Sequence, residues 1–134
     1  MKKLNVVIVF DKEDKNLLMC KRMKDPYMGK FNLVGGKVEP GENELDAAYR
    51  ELCEETGIRD CDIQLKHVMN FQYEVPEIEL EVYYGKLNKD VVLVEEKHPL
   101  CWMDKNENFF DLNKFAGEGN IGHMLQQVEI LKNK

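Results

Sequence analysis

The chain predicts an α/β domain, a mixed β-sheet sandwiched between helices (α/β/α), and three observations carry that expectation. Four β-rich apolar runs, at residues 4–10, 17–21, 63–73 and 80–87, are separated by turn residues, the pattern of strands. Between the second and third of them lies an amphipathic helix with capping residues at both ends, Asn43 and Gly57. Near the C-terminus, Ile121, Met124, Leu125, Val128 and Leu131 recur at helical spacing, the apolar stripe of a second helix. Strands before and after one helix, closed by another helix, suit a mixed sheet between two helical layers. At 134 residues the chain is expected to form one domain, residues 1–134, with a core of its own.

The elements follow in order. Residues 4–10 (LNVVIVF) are nearly continuously apolar, as for a buried strand. Residues 11–16 make a polar turn, and residues 17–21 return as a second strand. Residues 24–30, with Pro26 and Gly29, form a loop, and residues 31–34 a short strand entering a turn at Gly35-Gly36. Residues 63–73 and 80–87 alternate roughly, as hairpin strands around Pro76. Residues 100–103 are a further short strand, with Trp102 expected in the core.

The central helix is the most informative element. Pro40 and Gly41 turn the chain, Asn43 stands as N-cap, and Glu44 puts negative charge in the first turn. Leu45, Ala48, Tyr49 and Leu52 follow helical spacing as a buried stripe, and Gly57 stands where a left-handed residue ends a helix. Glu51, Glu54 and Glu55 share a face by i, i+3 and i+4 spacing, expected to turn away from that stripe. Like charges at this spacing cost roughly 0.2–0.5 kcal/mol per pair, and the negative end of the helix dipole adds to the repulsion. A divalent cation across the three carboxylates removes the conflict.

Residues 36–58 read GKVEPGENELDAAYRELCEETGI. The segment resembles the Nudix box, G-x5-E-x7-R-E-U-x-E-E-x-G-U with U bulky and aliphatic. Gly36, Glu42, Arg50, Glu51, Leu52, Glu54, Glu55, Gly57 and Ile58 fill its nine fixed positions. The resemblance implies the Nudix fold and hydrolysis of a nucleoside diphosphate linked to another moiety, with Mg²⁺ or Mn²⁺ as cofactor. It makes Glu54 and Glu55 the main metal ligands, Glu51 a ligand or the general base, and the Gly35 carbonyl a further ligand. Arg50 resembles the family arginine that orients box acids, with Glu42 as its partner. Lys37, beside the metal loop, is expected to contact phosphate or a box carboxylate.

The segment GKFNLVGGK at residues 29–37 is similar to one in MutT-type 8-oxo-dGTP diphosphatases, in which an Asn bonds the purine edge; Asn32 matches it. An amide offers both donor and acceptor to a base, although Asn also bonds local turn backbone. Phe115-Ala116-Gly117-Glu118 loosely resembles a segment that sets an aromatic ring and an acid against the base. Phe115 is thus either a stacking ring or a core aromatic, and Glu118 a base-edge acid. The resemblance to the bacterial MutT type, which carries a fourth carboxylate six residues before a strand Trp, implies Glu96 as a metal ligand or base; a one-residue shift substitutes Glu95. Lys21 and Arg22 end the second strand where the family places a phosphate-contacting base, and Lys21 is favoured.

Composition narrows the alternatives. The net charge of −6 argues against nonspecific binding to nucleic-acid polymers. No apolar run approaches the roughly 20 residues that span a bilayer, and the N-terminus reads as a strand with no leader, so a cytoplasmic enzyme is expected, monomer or homodimer. Cys20, Cys53, Cys61 and Cys101 lack metal-site spacing. The favoured reading is a pyrophosphatase that turns an oxidised purine nucleoside triphosphate into monophosphate and pyrophosphate. The alternatives are hydrolysis of another nucleotide (a canonical NTP, ADP-ribose, a nucleotide sugar or a dinucleoside polyphosphate) and a catalytically dead nucleotide-binding regulator.

Overall fold

The computed structural model describes residues 2–74 and 77–133. Its elements are β1 (Lys2–Phe10), β2 (Asn16–Lys21), β3 (Phe31–Asn32), β4 (Val34–Lys37), α1 (Glu44–Thr56), β5 (Lys66–Glu74), β6 (Glu77–Lys86), β7 (Leu100–Asp104) and α2 (Asn120–Lys132). The strands form one mixed sheet in the order β3-β2-β1-β6-β5, with β4 also paired to β1 and β7 to β2. β1 runs parallel to β6 and antiparallel to β2 and β4.

Strand alternation divides the core into two layers. Val7 and Val9 of β1, Leu18 and Cys20 of β2 and Tyr83 of β6 pack with Ala48 and Leu52 of α1. Ile8 and Phe10, Leu17 and Met19, and Val82 pack with Ile121, Met124 and Val128 of α2. The unbroken apolar run in β1 thus has a physical cause, because both faces of the strand are covered by a helix. This is the α/β/α arrangement expected from the order of elements.

Four local expectations are corrected. Gly35 and Gly36 lie within β4, opposite Val6 and Asn5, where a turn was expected. The run 31–34 breaks at Leu33 because β3 pairs with β2 and β4 pairs with β1, so the chain changes partner there. The stripe of α1 is Ala47, Ala48, Glu51, Leu52 and Thr56, with Leu45 exposed in the first turn. Trp102 is not a core residue: alternation along β7 gives Cys101 and Met103 to the α2 layer and leaves Trp102 on the other face, 37% exposed. The expected hairpin turn at Pro76 lies outside the described residues; β5 and β6 pair antiparallel up to Glu74 and Glu77.

Candidate active site

The helix carrying the acidic residues is fixed at both ends. Asn43 Oδ1 accepts the N–H groups of Leu45 and Asp46 at 3.0 and 3.2 Å, satisfying two of the orphan donors of the first turn. Gly57, at φ 80°, donates its N–H to the Cys53 carbonyl, the left-handed ending that glycine adopts without steric cost. Ile58 then enters the α1-side core.

β4 lies directly against this helix. A Cβ on Gly35 would sit 2.1 Å from the Asn5 carbonyl oxygen, and one on Gly36 would sit 2.2 Å from Glu51 Oε2. Gly36 therefore gives the Glu51 carboxylate a place against the backbone, and Glu51 is 8% exposed. The expectation that the whole glutamate face turns away from the buried stripe is corrected for this residue: Glu51 is itself buried, against Gly36 and Arg50.

Arg50 organises the acids. Its Nε and Nη2 bond Glu42 Oε2 and Oε1 at 2.8 and 2.9 Å, the two-pronged geometry that makes arginine specific for carboxylates. Nη1 donates to Glu51 Oε1 at 3.0 Å and Glu54 Oε2 at 3.2 Å. Nη2 also donates to the Lys37 carbonyl at 2.8 Å, tying the helix to the end of β4. The Arg50 hydrogen bond holds the Glu42 carboxyl below the usual carboxylate range.

Glu55 stands apart from these bonds. Burial pushes its carboxyl above the ordinary value, Lys97 pulls it back, and Glu51 and Glu54 push it further up. Cys53, Glu54, Glu55, Glu96 and Lys97 line one shallow depression. Glu95, by contrast, accepts the Leu100 N–H at 2.7 Å and fastens the loop to the start of β7. Of the two adjacent loop acids, Glu96 is the one beside Glu54 and Glu55.

This donor set fits a hard divalent cation, which takes carboxylate and carbonyl oxygens and would offset the like-charge repulsion at Glu55. Among the described residues, however, no three His, Cys, Asp or Glu side chains converge as a ligand set. Glu51 lies against Gly36 and Arg50, and the more exposed Glu54 bonds the same Arg50 nitrogen.

Glu55 also borders a cleft of about 320 Å³, within the usual range for small-molecule sites. Arg22, Tyr27, Asn32, Tyr73, His98 and Asn120 give it polar and aromatic walls. Leu80, Ile121 and Met124 contribute apolar surface from β6 and α2. Asn120 Nδ2 donates to the Tyr73 hydroxyl at 2.7 Å, joining the start of α2 to β5. Asn32 Oδ1 accepts the Leu33 N–H at 2.8 Å, which leaves its amide NH₂ for a ligand.

The NUDIX domain family pattern matches residues 1–125. The chain belongs to the Nudix family. It is 30% identical over 129 residues to a nucleoside triphosphatase of Salmonella heidelberg, covering 84% of this chain and 91% of that one. It is 31% identical over 86 residues to the 8-oxo-dGTP diphosphatase of Escherichia coli, 63% of this chain and 65% of that one. It spans less than two thirds of several curated relatives it matches, 27%, 62% and 65% of their lengths. A Caenorhabditis elegans Ap4A hydrolase structure superposes with a TM-score of 0.78 at 20% identity, covering 99% of this chain and 98% of that one.

Within this Nudix domain the expected pocket residues separate. Asn32 lines the cleft. Lys21 does not: its neighbours Cys20 and Arg22 border the cleft, and a residue between them in an extended chain faces the other way. Phe115 is 1% exposed and packs on Phe109 at 4.8 Å between ring centroids, in the α2-side core. A ring so enclosed has no face to offer a base; its backbone instead bridges to Phe31 of β3. Glu118 is exposed with φ 56°, between Gly117 and Gly119, outside the cleft lining. Lys37 borders a different depression, beside Glu39 and Glu42, and offers its carbonyl to Arg50.

Sequence reading missed Asn5, Tyr73, His98, Lys97 and Asn120. Asn5 had a local sign, a lone amide in an apolar strand. Tyr73 and Asn120 had none, because they are 47 residues apart and meet only when α2 packs on β5.

Proposed function

We propose that this Nudix domain hydrolyses a purine nucleoside triphosphate to the monophosphate and pyrophosphate, with an oxidised purine of the 8-oxo-dGTP class as preferred substrate. The observation that carries this reading is the continuity of the site: Glu55 borders both the amide-lined cleft and the depression holding Glu54 and Glu96. A base held by Asn32 and Asn120 thereby directs its phosphates towards the box acids. Amides suit this task because each presents a donor and an acceptor, and Tyr73 holds Asn120 in place. The nucleoside triphosphatase and 8-oxo-dGTP diphosphatase relatives support a triphosphate substrate.

Glu51, Glu54, Glu55 and the Gly35 carbonyl would hold Mg²⁺ or Mn²⁺, with Glu96 contributing from its loop. Such an ion, when bound, neutralises phosphate charge and lowers the pKa of water. The chain's own residues do the rest. Arg22 and Lys97 offer positive charge along the route from cleft to acids. A glutamate, either Glu96 or Glu51, takes the proton of the attacking water. The new oxygen–phosphorus bond forms in line with the bridging bond that breaks, and pyrophosphate leaves. Glu96 is the freer candidate, since Glu51 is already bonded to Arg50.

The test is a panel of 8-oxo-dGTP, canonical NTPs, ADP-ribose, a nucleotide sugar and a dinucleoside polyphosphate with Mg²⁺, scoring pyrophosphate and monophosphate. Pyrophosphate release with the highest kcat/KM on the oxidised purine is expected. Preference for ADP-ribose or a dinucleoside polyphosphate would replace this substrate assignment, and binding without turnover would make the domain a nucleotide sensor.

A further inference from the structure

His98 borders the cleft and takes no part in the chemistry above. The loop that carries it is fastened on both sides. Glu95 accepts the Leu100 N–H at 2.7 Å, and the Lys21 N–H donates to the Pro99 carbonyl at 3.0 Å. Pro99 also favours an extended backbone at His98. Glu96 and Lys97 border the acidic depression, while His98 borders the cleft. The His98 Nδ1 is buried and has no hydrogen-bond partner among the described residues, whereas a buried nitrogen that serves only the fold is normally bonded. With no acceptor at Nδ1, the neutral ring carries its proton on Nε2, because a buried N–H without an acceptor is the rarer defect. The ring edge left for the cleft is therefore a donor. Three cations, Arg22, Lys24 and Lys97, stand close enough to act on this ring. Arg22 is steered by its own loop, its Nε donating to the Pro26 carbonyl at 2.8 Å, a bond that does not use its Nη groups. Gathered cations repel one another, and an anion among them removes the conflict.

We propose that His98 is a substrate-binding residue, its Nε2–H donating to the phosphate next to the nucleoside, with Arg22 as the charged partner. This assignment rests on the nucleotide reading above and deepens it. The order of groups from cleft to depression identifies the phosphate. On that reading Asn32 and Asn120 hold the base in the cleft, and the outer phosphates reach the depression of Glu54 and Glu96. His98 and Arg22 share the cleft with Glu55, which borders both spaces. The first phosphate therefore meets His98, and Lys97 meets those beyond it. A lysine supplies charge there, whereas the imidazole N–H adds one directed bond to an anionic oxygen. When the bridging bond breaks, this phosphate stays with the monophosphate, so His98 contacts substrate and product alike.

The experiment uses the isotope-labelled full chain without metal, titrated at fixed pH with 8-oxo-dGMP and separately with its nucleoside. Imidazole nitrogen spectra follow His98, and His67 and His123, which lie outside the cleft lining, serve as references. The monophosphate should shift the His98 ring nitrogens together with the Asn32 and Asn120 side-chain amides, and the nucleoside should shift the amides alone. His98→Phe keeps a ring and removes the donor. It should weaken monophosphate binding about tenfold, the lower end for a hydrogen bond to a charged group, and leave nucleoside binding unchanged. His98→Gln, which keeps a donor, should recover most of the loss. A still His98 ring while the amides respond to the monophosphate overturns the assignment and spares the nucleotide reading. Equal His98 shifts from nucleoside and monophosphate overturn it too, as does parental monophosphate affinity in a folded His98→Phe protein. Ring and amides unmoved by either probe overturn the nucleotide reading and this assignment with it. The parent titration decides the matter even where His98→Phe fails to fold.

Discussion

The two halves of the site are built in opposite ways. The acidic half comes from residues 35–58, one contiguous stretch in which β4 and α1 are neighbours in the chain. Its geometry is enforced by short-range devices: the Asn43 cap, the Gly57 ending, and one arginine that reaches three acids and a carbonyl. The cleft half takes Arg22, Asn32, Tyr73, His98 and Asn120 from five separate segments. It is held by long-range contacts such as the bond from Asn120 to Tyr73. The acidic half can thus stay constant while the cleft half varies, and the two should fail differently when altered.

The largest effect is expected in the acidic half. Glu54→Gln should lower turnover by orders of magnitude while the fold is kept. The Glu54 side chain is 58% exposed and its bond to Arg50 is a surface pair, so its loss should change stability by no more than about 1 kcal/mol. Near-parental turnover at saturating Mg²⁺, measured beside the denaturation midpoint, would remove Glu54 from the reaction.

Next comes the comparison of adjacent loop acids. Glu96→Gln should reduce kcat by about 10²-fold, the lower range for loss of a general base, and abolish the acidic limb of the pH–rate profile. The Mg²⁺ concentration for half-maximal rate should hardly move. Glu95→Gln should leave kcat close to the parent, because Glu95 acts on the Leu100 N–H. Parental kcat and pH profile in Glu96→Gln would return the base role to Glu51.

Arg50→Lys tests whether fork geometry or mere charge holds the acidic half together. A lysine cannot reproduce the two-pronged bond to Glu42. A stability loss of about 1–2 kcal/mol, allowing for solvent screening of a partly exposed group, is expected by denaturant titration. A fully functional and equally stable lysine variant would show that charge alone suffices.

The cleft half should respond in selectivity and little in stability. Asn32→Ala and Asn120→Ala should each lower kcat/KM for the preferred purine by roughly 10–100-fold, since a base edge loses its partner. A poorly recognised NTP should be much less affected. Equal losses for every nucleotide would assign these amides to holding the Leu33 turn and the β5–α2 junction.

The smallest effect is a pH dependence of stability at the border between the halves. Burial pushes the Glu81 carboxyl up, the Tyr83 hydroxyl pulls it down, and Glu44 and Glu79 raise it against Lys3. Because the folded value lies above the unfolded one, Glu81 adds stability below the ordinary carboxylate pKa, and that contribution is lost as pH rises through the raised value. In metal-free protein, the rise in Tm on acidification should be flatter for Glu81→Gln than for the parent. Identical slopes would mean that Glu81 titrates normally in the fold.

The acidic half was legible in the sequence because helical spacing and capping are local rules. Asn43, Glu42, Arg50 and Gly57 fall where those rules and the box resemblance put them. The same rules did not show that Glu51 would be buried, since that depends on a second element, β4, offering a glycine backbone. Phe115 illustrates the limit of a loose match. Its motif left open a stacking ring or a core aromatic, and close packing with Phe109 makes it the second.

The sequence by itself determined the α/β/α class, the two helices, most of the strands and the identity of the acidic residues, because periodicity, caps and a fixed-spacing motif are properties of neighbouring residues; that residues 31–37 form two strands with different partners came from the tertiary structure. The tertiary structure decided which acids face the cleft, that Arg22 and not Lys21 borders it, and that Asn120 is held by Tyr73. These are consequences of strand register and helix docking, where residues tens of positions apart are joined by burial of both sheet faces, and no local pattern encodes that pairing.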